Sequence, residues 1–375
     1  MIRLFFSLLL LLHGCLHLAG FALESHLFKW ENLIAKPAIY LSSSTEKSMA
    51  LMWLAVAVLF ITTAVFLFTK KNNWWQAAFI SILFSQSLIF IYWPAAKAGT
   101  LVNILLLGAA TLAFSKHHFK LMVRNETKDL FKLEKWHKRK IITHEMISGL
   151  PYPVYNWLSH CGIMGKEDIY CVRLKQAGTM RLKPNSGKWI PAYAEQYFTL
   201  NNPAFTWIGQ IKLTSFLTIW GRDKLVNGEG NMLIKAASLM PIANESGPKI
   251  NESTLQRFLA EICWFPSAAL HKNIHWDAID SKHAKATIQS NDTTASVVFT
   301  FNDKGEITEC SADRYNGNKP VSVKEKWVVS INKTGIKDGI SIPLEVEVTW
   351  KFKAGDFTWY KLSITDIAYN FPYIY

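Results

Sequence analysis

The side chains of this sequence that could do chemistry fall into three groups. His13 and His17 stand four apart inside an apolar run, so on a helix they share one face. Ionisable residues inside a bilayer mark functional sites by default. Such a pair could ligate a haem or a metal or sit beside a quinone, with His26, just past the run, as a third ligand. The competing reading is two neutral imidazoles that hydrogen-bond between helices. It is favoured because the other three apolar runs hold no carboxylate and no further His. The second group comprises Arg222-Asp223, Glu261, Asp277, Asp280 and Asp313-Arg314. Two carboxylates in an apolar cavity have raised pKa values and can do acid–base work. Asp and Arg adjacent in sequence, twice, favour ion pairs that tie strand ends together instead. The third group is a row of cations, Lys116, Lys120, Arg124, Lys128 and Lys132, whose spacing of four keeps them on one slowly drifting helix face.

Other chemistry is missing from the sequence. It contains no phosphate loop, dinucleotide fingerprint, HExxH or GxSxG. Gly228-x-Gly230 lacks the third glycine and the strand–glycine–helix setting, so it reads as a turn. The five cysteines, Cys15, Cys161, Cys171, Cys263 and Cys310, form no CxxC, which argues for reduced thiols rather than a zinc site or a disulfide framework. No catalytic set and no cofactor are expected. His117-His118 reads as surface.

Four apolar runs must position the first group: Ile2 to Leu23, Met49 to Thr69, Trp74 to Trp93 and the shorter Thr100 to Ser115. Trp74, Trp75, Tyr92 and Trp93 mark the two ends of the third, the aromatic belt of a spanning helix. The first run has no clean small-x-small cleavage site and is read as a retained helix rather than a signal peptide. Arg3, Lys70, Lys71 and the cations from Lys116 to Lys140 (Lys135 and Lys138 among them) fall on one side of the membrane. Lys29, Lys36, Lys47 and Lys97 fall on the other. The excess puts both termini in the cytoplasm and makes the chain a multi-pass protein of the inner, cytoplasmic membrane. The net charge of +13 suggests acidic partners, and the explicit spans favour anionic lipid headgroups over nucleic acid. The basic row then reads as an amphipathic helix on an anionic leaflet, with a solvated connector as the alternative. The expected division is 1–115 transmembrane, 116–145 connector and 146–375 β-rich soluble domain.

In that last part the pattern turns to period two. Tyr170, Val172 and Leu174 alternate with Arg173 and Lys175, and a turn at Ala177-Gly178 is expected before Met180 and Leu182. A proline-bounded loop follows, then a strand over Phe205, Trp207, Gly209, Ile211 and Leu213, and another from Phe216 to Trp220. After a turn at Asn227-Gly228, Asn231 to Leu239 reads as a short helix. Thr254 to Phe265 is the clearest helix, with capping-box spacing at Ser253 and Gln256 and an i, i+4 pair at Arg257 and Glu261. Strands resume at Val297 to Phe301 and Lys326 to Ile331. The clearest strand of all runs from Leu344 to Phe352. The fold class is a four-helix transmembrane region followed by an α+β domain. Its sheet is mainly antiparallel and strongly curved or half-closed, with a helix packed across it.

From about Leu150 to Asn370 the chain resembles an uncharacterised bacterial family that carries a domain of unknown function. The matching residues are Gln176-x-Gly178-x-Met180-Arg181 and Trp189-x-Pro191-x-x-Ala194-x-Gln196-x-Phe198. They continue with Pro203-x-Phe205-x-Trp207, Gly221-Arg222-Asp223, Gly228-x-Gly230-x-Met232 and Leu259-Ala260-Glu261-x-x-Trp264-Phe265-Pro266. The resemblance brings no activity with it. More loosely, the strand-rich plan with an inserted helix looks like the open barrels of bacterial lipoprotein carriers.

These readings lead to a membrane-tethered binding protein for an apolar or lipid-like ligand. Its expected cavity is lined by Tyr170, Trp189, Phe198, Phe205, Trp207, Trp220, Phe258, Trp264 and Trp350. Arg173, Arg181, Arg222 and Arg314 are expected to grip an anionic headgroup. The alternatives are a membrane redox or cofactor-binding protein that uses His13 and His17, and a membrane scaffold for a partner protein.

Overall fold

The computed structural model describes residues 2–25, 37–38, 43–134, 139–184, 186–214, 217–317 and 321–375. His26, Lys29, Lys36, Lys135, Lys138 and Phe216 lie outside the described residues. The chain forms two compact units, Met1–Phe119 and Lys120–Tyr375.

The first unit contains α1 (Ile2–Glu24), α2 (Ser43–Phe68), α3 (Trp74–Ile91), α4 (Trp93–Ala96) and the first part of α5 (Gly99–Leu133). All but α4 are long and apolar enough to cross a membrane. Small residues let α1 approach α2 closely. A Cβ at Gly20 would meet the Trp53 ring at 2.6 Å, and one at Gly14 the backbone of Ala57 at 3.2 Å. Leu4, Leu8, Leu12 and Leu16 of α1 and Leu101, Ile104 and Leu105 of α5 stay exposed, a surface suited to hydrocarbon rather than water. The fourth helix does not stop at Ser115. No Gly or Pro interrupts residues 116–133, so the helix runs on into the second unit.

The second unit continues α5 from Lys120 and adds α6 (His144–Ile147) and α7 (Tyr152–His160). Six strands follow: β1 (Cys171–Met180), β2 (Ile190–Thr199), β3 (Ala204–Lys212), β4 (Thr218–Val226), β5 (Glu229–Ala236) and β6 (Met240–Ser246). After α8 (Pro248–Glu261) come β7 (Ile274–Ala278), β8 (His283–Ser290), β9 (Thr293–Phe301), β10 (Ile307–Tyr315), β11 (Lys324–Lys337), β12 (Ile340–Phe352) and β13 (Gly355–Tyr369). Among the described residues the strands make one antiparallel sheet, ordered β6-β5-β4-β3-β2-β1-β13-β12-β11-β10-β9-β8-β7. Two meanders therefore meet where the first strand pairs with the last. The sheet is strongly curved, a half-barrel, and α8 crosses between its two edges. It touches β4, β5 and β6 of one arm and β8, β9 and β10 of the other.

Local readings fail where a residue type is used for something other than its usual purpose. The expected turn at Ala177-Gly178 is absent. β1 runs straight through, and Gly178 is there because a Cβ would lie 2.0 Å from the Lys361 carbonyl oxygen of β13. The proline-bounded loop is instead the strand β2, whose Gln196 breaks the apolar alternation although it faces the core. Asn231–Leu239 is no helix. Asn227 and Gly228, at φ 53° and 76°, close a tight hairpin, and β5 pairs with both β4 and β6. α8 begins at Pro248, after Gly247 at φ 105°, which places Ser253 and Gln256 inside the helix. Their side chains donate to the Tyr315 and Asp313 carbonyls of β10, at 3.4 and 3.0 Å.

Candidate ligand-binding site

The sheet has two faces, and alternation along each strand assigns the side chains. The inner face carries Gln176, Gln196, Phe198, Phe205, Trp207, Asp223, Tyr360 and Trp350. It packs on α8. Phe198, Phe205, Phe258 and Phe265 form a ring cluster with centroids 4.7 to 6.3 Å apart. Trp264 donates to the Pro343 carbonyl at 3.1 Å, and Trp350 stacks on Phe352. The Trp207 indole lies over Gly209 and Gly221 and donates to Gln176 Oε1 at 3.1 Å. Six of the nine expected cavity residues thus belong to the packed core that seats the helix.

That core contains charge. Arg257 of α8 donates to Glu261 Oε1 at 2.9 Å and Asp223 Oδ2 at 2.6 Å, confirming the expected i, i+4 pair. Gln196 donates to the second Glu261 oxygen at 2.7 Å, and Gln176 donates to Gln196. Burial pushes the Glu261 carboxyl up against the pull of Arg257 and Gln196. Burial also opposes the Arg257 charge, but Glu261 and Asp223 outweigh it and hold that guanidinium's pKa up. Arg314 lies over Trp327, donates to the Ser253 carbonyl at 3.1 Å, and is lowered by burial to about 10. Asp277 and Asp280 sit on the exposed end of the β7–β8 hairpin, against His275 and His283. The carboxylates nominated for acid–base work are therefore not gathered at one site.

The outer face of β1–β4 packs on residues 120–133 of α5. Val123, Thr127 and Leu130 form the buried stripe of that stretch, and Phe131 meets the Tyr197 ring edge-on at 6.0 Å. Glu126 anchors it by ion pairs to buried Arg222 at 3.1 Å and to Lys224 at 3.0 Å. Burial lowers the Arg222 pKa while Glu126 supports its charge. Beside this contact is a cavity of about 520 Å³. Its floor is two cross-strand rows, Ala177–Tyr193–Gln210–Trp220 and Lys175–Glu195–Ile208. Val123 and Thr127 of α5 form one wall, Ile374 and Tyr375 another, and Lys120 and Arg124 stand at the helix side. A second hollow of about 590 Å³ lies further along the helix, lined in part by Asp129, Glu229 and Asn251.

Of the residues nominated from sequence, Trp220, Lys120 and Arg124 line the 520 Å³ pocket. Tyr170 is half-buried under Arg139, and Trp189 under Arg181. Arg173 stacks on Phe371 and Tyr375, and Arg181 donates to the Thr358 carbonyl. Lys116, Lys128 and Lys132 are exposed, the last paired with Asp129. Lys175, Tyr193, Ile208 and Tyr375 also line that pocket and are not among the residues nominated from sequence. Lys175 belongs to the basic face of β1, whereas the aromatic excess that marks the nominated residues lies on the opposite face.

His13 and His17 are buried in the first unit. His13 Nε2 contacts Asn103 Oδ1 at 3.1 Å and His17 Nε2 contacts Ser85 Oγ at 2.9 Å, so the pair bridges α1 to α3 and α5. Among the described residues no group of three or more His, Cys, Asp or Glu could hold a metal ion.

The fold defines a class, a curved antiparallel half-barrel with a helix seated in it. The chain belongs to DUF6920, a family of unknown function, which matches residues 148–369, more than half its length. No curated protein matches. The crystal structure of a LolA superfamily protein from Nitrosomonas europaea is similar at 10% identity and TM-score 0.29, covering 53% of this chain and 85% of that one.

Proposed function

We propose that this is a multi-pass inner-membrane binding protein that holds a lipid-like ligand in the outer-face pocket without transforming it. The observation that carries the reading is the place of the pocket in the chain. Its helical wall, Lys120 to Thr127, lies on the same helix as the apolar stretch of α5, five residues beyond it. Its volume lies within the ~300–1,000 Å³ of small-molecule sites, and its rings and aliphatic side chains provide the apolar lining such sites need. The Lys and Arg excess beside the spans supports a cytoplasmic second unit.

Native mass spectrometry of the full-length protein, released from mild detergent, tests this. The wild type is expected to retain one lipid-sized ligand per chain. Ala177→Trp, which fills the floor between Tyr193 and the helix, is expected to lose it. A wild type that emerges empty from lipid-supplemented preparations contradicts the reading.

A further inference from the structure

We infer that the pocket grips the anionic, phosphate-bearing headgroup of an amphiphile, using Lys120, Arg124 and Lys175. This rests on the lipid-like reading above and specifies the ligand's chemistry. Several cations elsewhere on this face have carboxylate partners. Arg222 and Lys224 share Glu126, and on neighbouring strands Lys361 pairs with Glu347 and Lys333 with Glu345. The three pocket cations form no ion pair among the described residues.

Two of them rest on aromatic rings instead. Lys120 Nζ is 5.4 Å from the Trp220 ring centroid and Lys175 Nζ is 3.9 Å from that of Tyr375. A cation parked over a ring is a weaker arrangement than a charge-assisted hydrogen bond to a phosphate oxygen, so an arriving anion gains by taking it. Glu195 and Asp366 flank Lys175 in register, yet neither closes an ion pair with it. Glu195 accepts instead from the Tyr197 hydroxyl at 3.0 Å. The cations also come from two directions. Lys120 and Arg124 are one turn apart on α5, and Lys175 stands on β1 across the pocket, so a headgroup would be held from helix and sheet together. Tyr193, Ile208 and Trp220 offer apolar surface beside that grip, which a free anion would not use.

The test uses the full-length protein in a neutral detergent, with binding read by native mass spectrometry titration. The probes are dihexanoyl phosphatidylglycerol, dihexanoyl phosphatidylcholine and inorganic phosphate. The wild type is expected to bind the anionic lipid about tenfold or more tightly than the zwitterionic one. Arg124→Gln/Lys175→Gln is expected to bring the two lipids to near equality, and Lys285→Gln on the far arm of the sheet to leave the ratio unchanged. The single variants Arg124→Gln and Lys175→Gln each report a partial loss, should the double variant misfold. Equal binding of the two lipids by the wild type overturns the headgroup inference and leaves the lipid-like reading intact. Binding of neither lipid overturns both. Inorganic phosphate binding as tightly as the anionic lipid overturns the amphiphile and points to a free phosphate ligand.

Discussion

Replacing Arg257 by Met tests how α8 is held in the half-barrel. The guanidinium serves Glu261, Asp223 and Gln196, and lies 5.1 and 5.2 Å from the Phe205 and Trp207 rings. Its side chain is 17% exposed and that of Glu261 11%, so the pair is largely dry. Removing one partner of a buried pair costs about 3–5 kcal/mol, because the other charge is left uncompensated. Asp223, 26% exposed, can turn to water, which places the expected loss near the lower end, about 3 kcal/mol. Met keeps the bulk of the stem but removes the guanidinium, with its ion pairs and its cation–π contacts to the two rings, so the loss is electrostatic. Arg257→Met/Glu261→Leu removes both charges and is expected to sit within about 1 kcal/mol of the wild type. The pH dependence carries a sign. Burial holds the folded Glu261 carboxyl above its usual 4.5, so the folded state takes up this proton more readily than the unfolded chain. The penalty for ionising it is absent below 4.5 and grows as pH rises through the folded value. Without Arg257 that penalty is larger, so Arg257→Met is expected to gain stability relative to wild type as pH is lowered from 8 to 5. Denaturant titration of the full-length protein in detergent, followed by Trp fluorescence, measures all of this. An Arg257→Met loss below about 1 kcal/mol, or a double variant that adds a second full loss, refutes the reasoning.

Three further outcomes are expected. Gly209→Ala puts a Cβ 2.1 Å from the Trp207 ring, which must move and give up its bond to Gln176. A loss of about 2–4 kcal/mol and a shifted Trp emission are expected from overpacking plus the lost bond. Glu126→Ala strands the buried Arg222, and should cost about 2–3 kcal/mol and speed amide exchange across residues 120–133. Burial pushes the Cys161 and Cys171 thiols up to about 12, so iodoacetamide at pH 8 should label neither until the protein is unfolded.

The architecture was readable because it rests on patterns that side-chain burial enforces. Long apolar runs have few fates, and the alternation from Leu344 to Phe352 leaves no doubt about a strand with one core face. The half-barrel and its helix followed from strands at both ends of the domain with a helix between. What escaped was decided by contacts distant in sequence. Gly178 looks like a turn until the Lys361 carbonyl of β13 is placed against it. Gln196 hides a core strand because its amide is paid for by Glu261 and Gln176, which lie far away in sequence. The pocket escaped for a related reason. Aromatic excess on inner-face positions signals packing at least as strongly as binding, and Phe198, Phe205 and Phe258 are consumed by the seat of α8. Lys175, Tyr193 and Ile208 become neighbours of Lys120 and Arg124 only once α5 lies against β1–β4.

Photocrosslinking in living cells tests the pocket most directly. A benzophenone amino acid replaces Gln210, on the pocket floor, or Lys285, exposed on β8 of the other arm, and irradiated protein is analysed by intact mass. The account predicts a lipid-mass adduct from position 210 and none from position 285. Equal lipid adducts at both positions, or none at position 210, would contradict it.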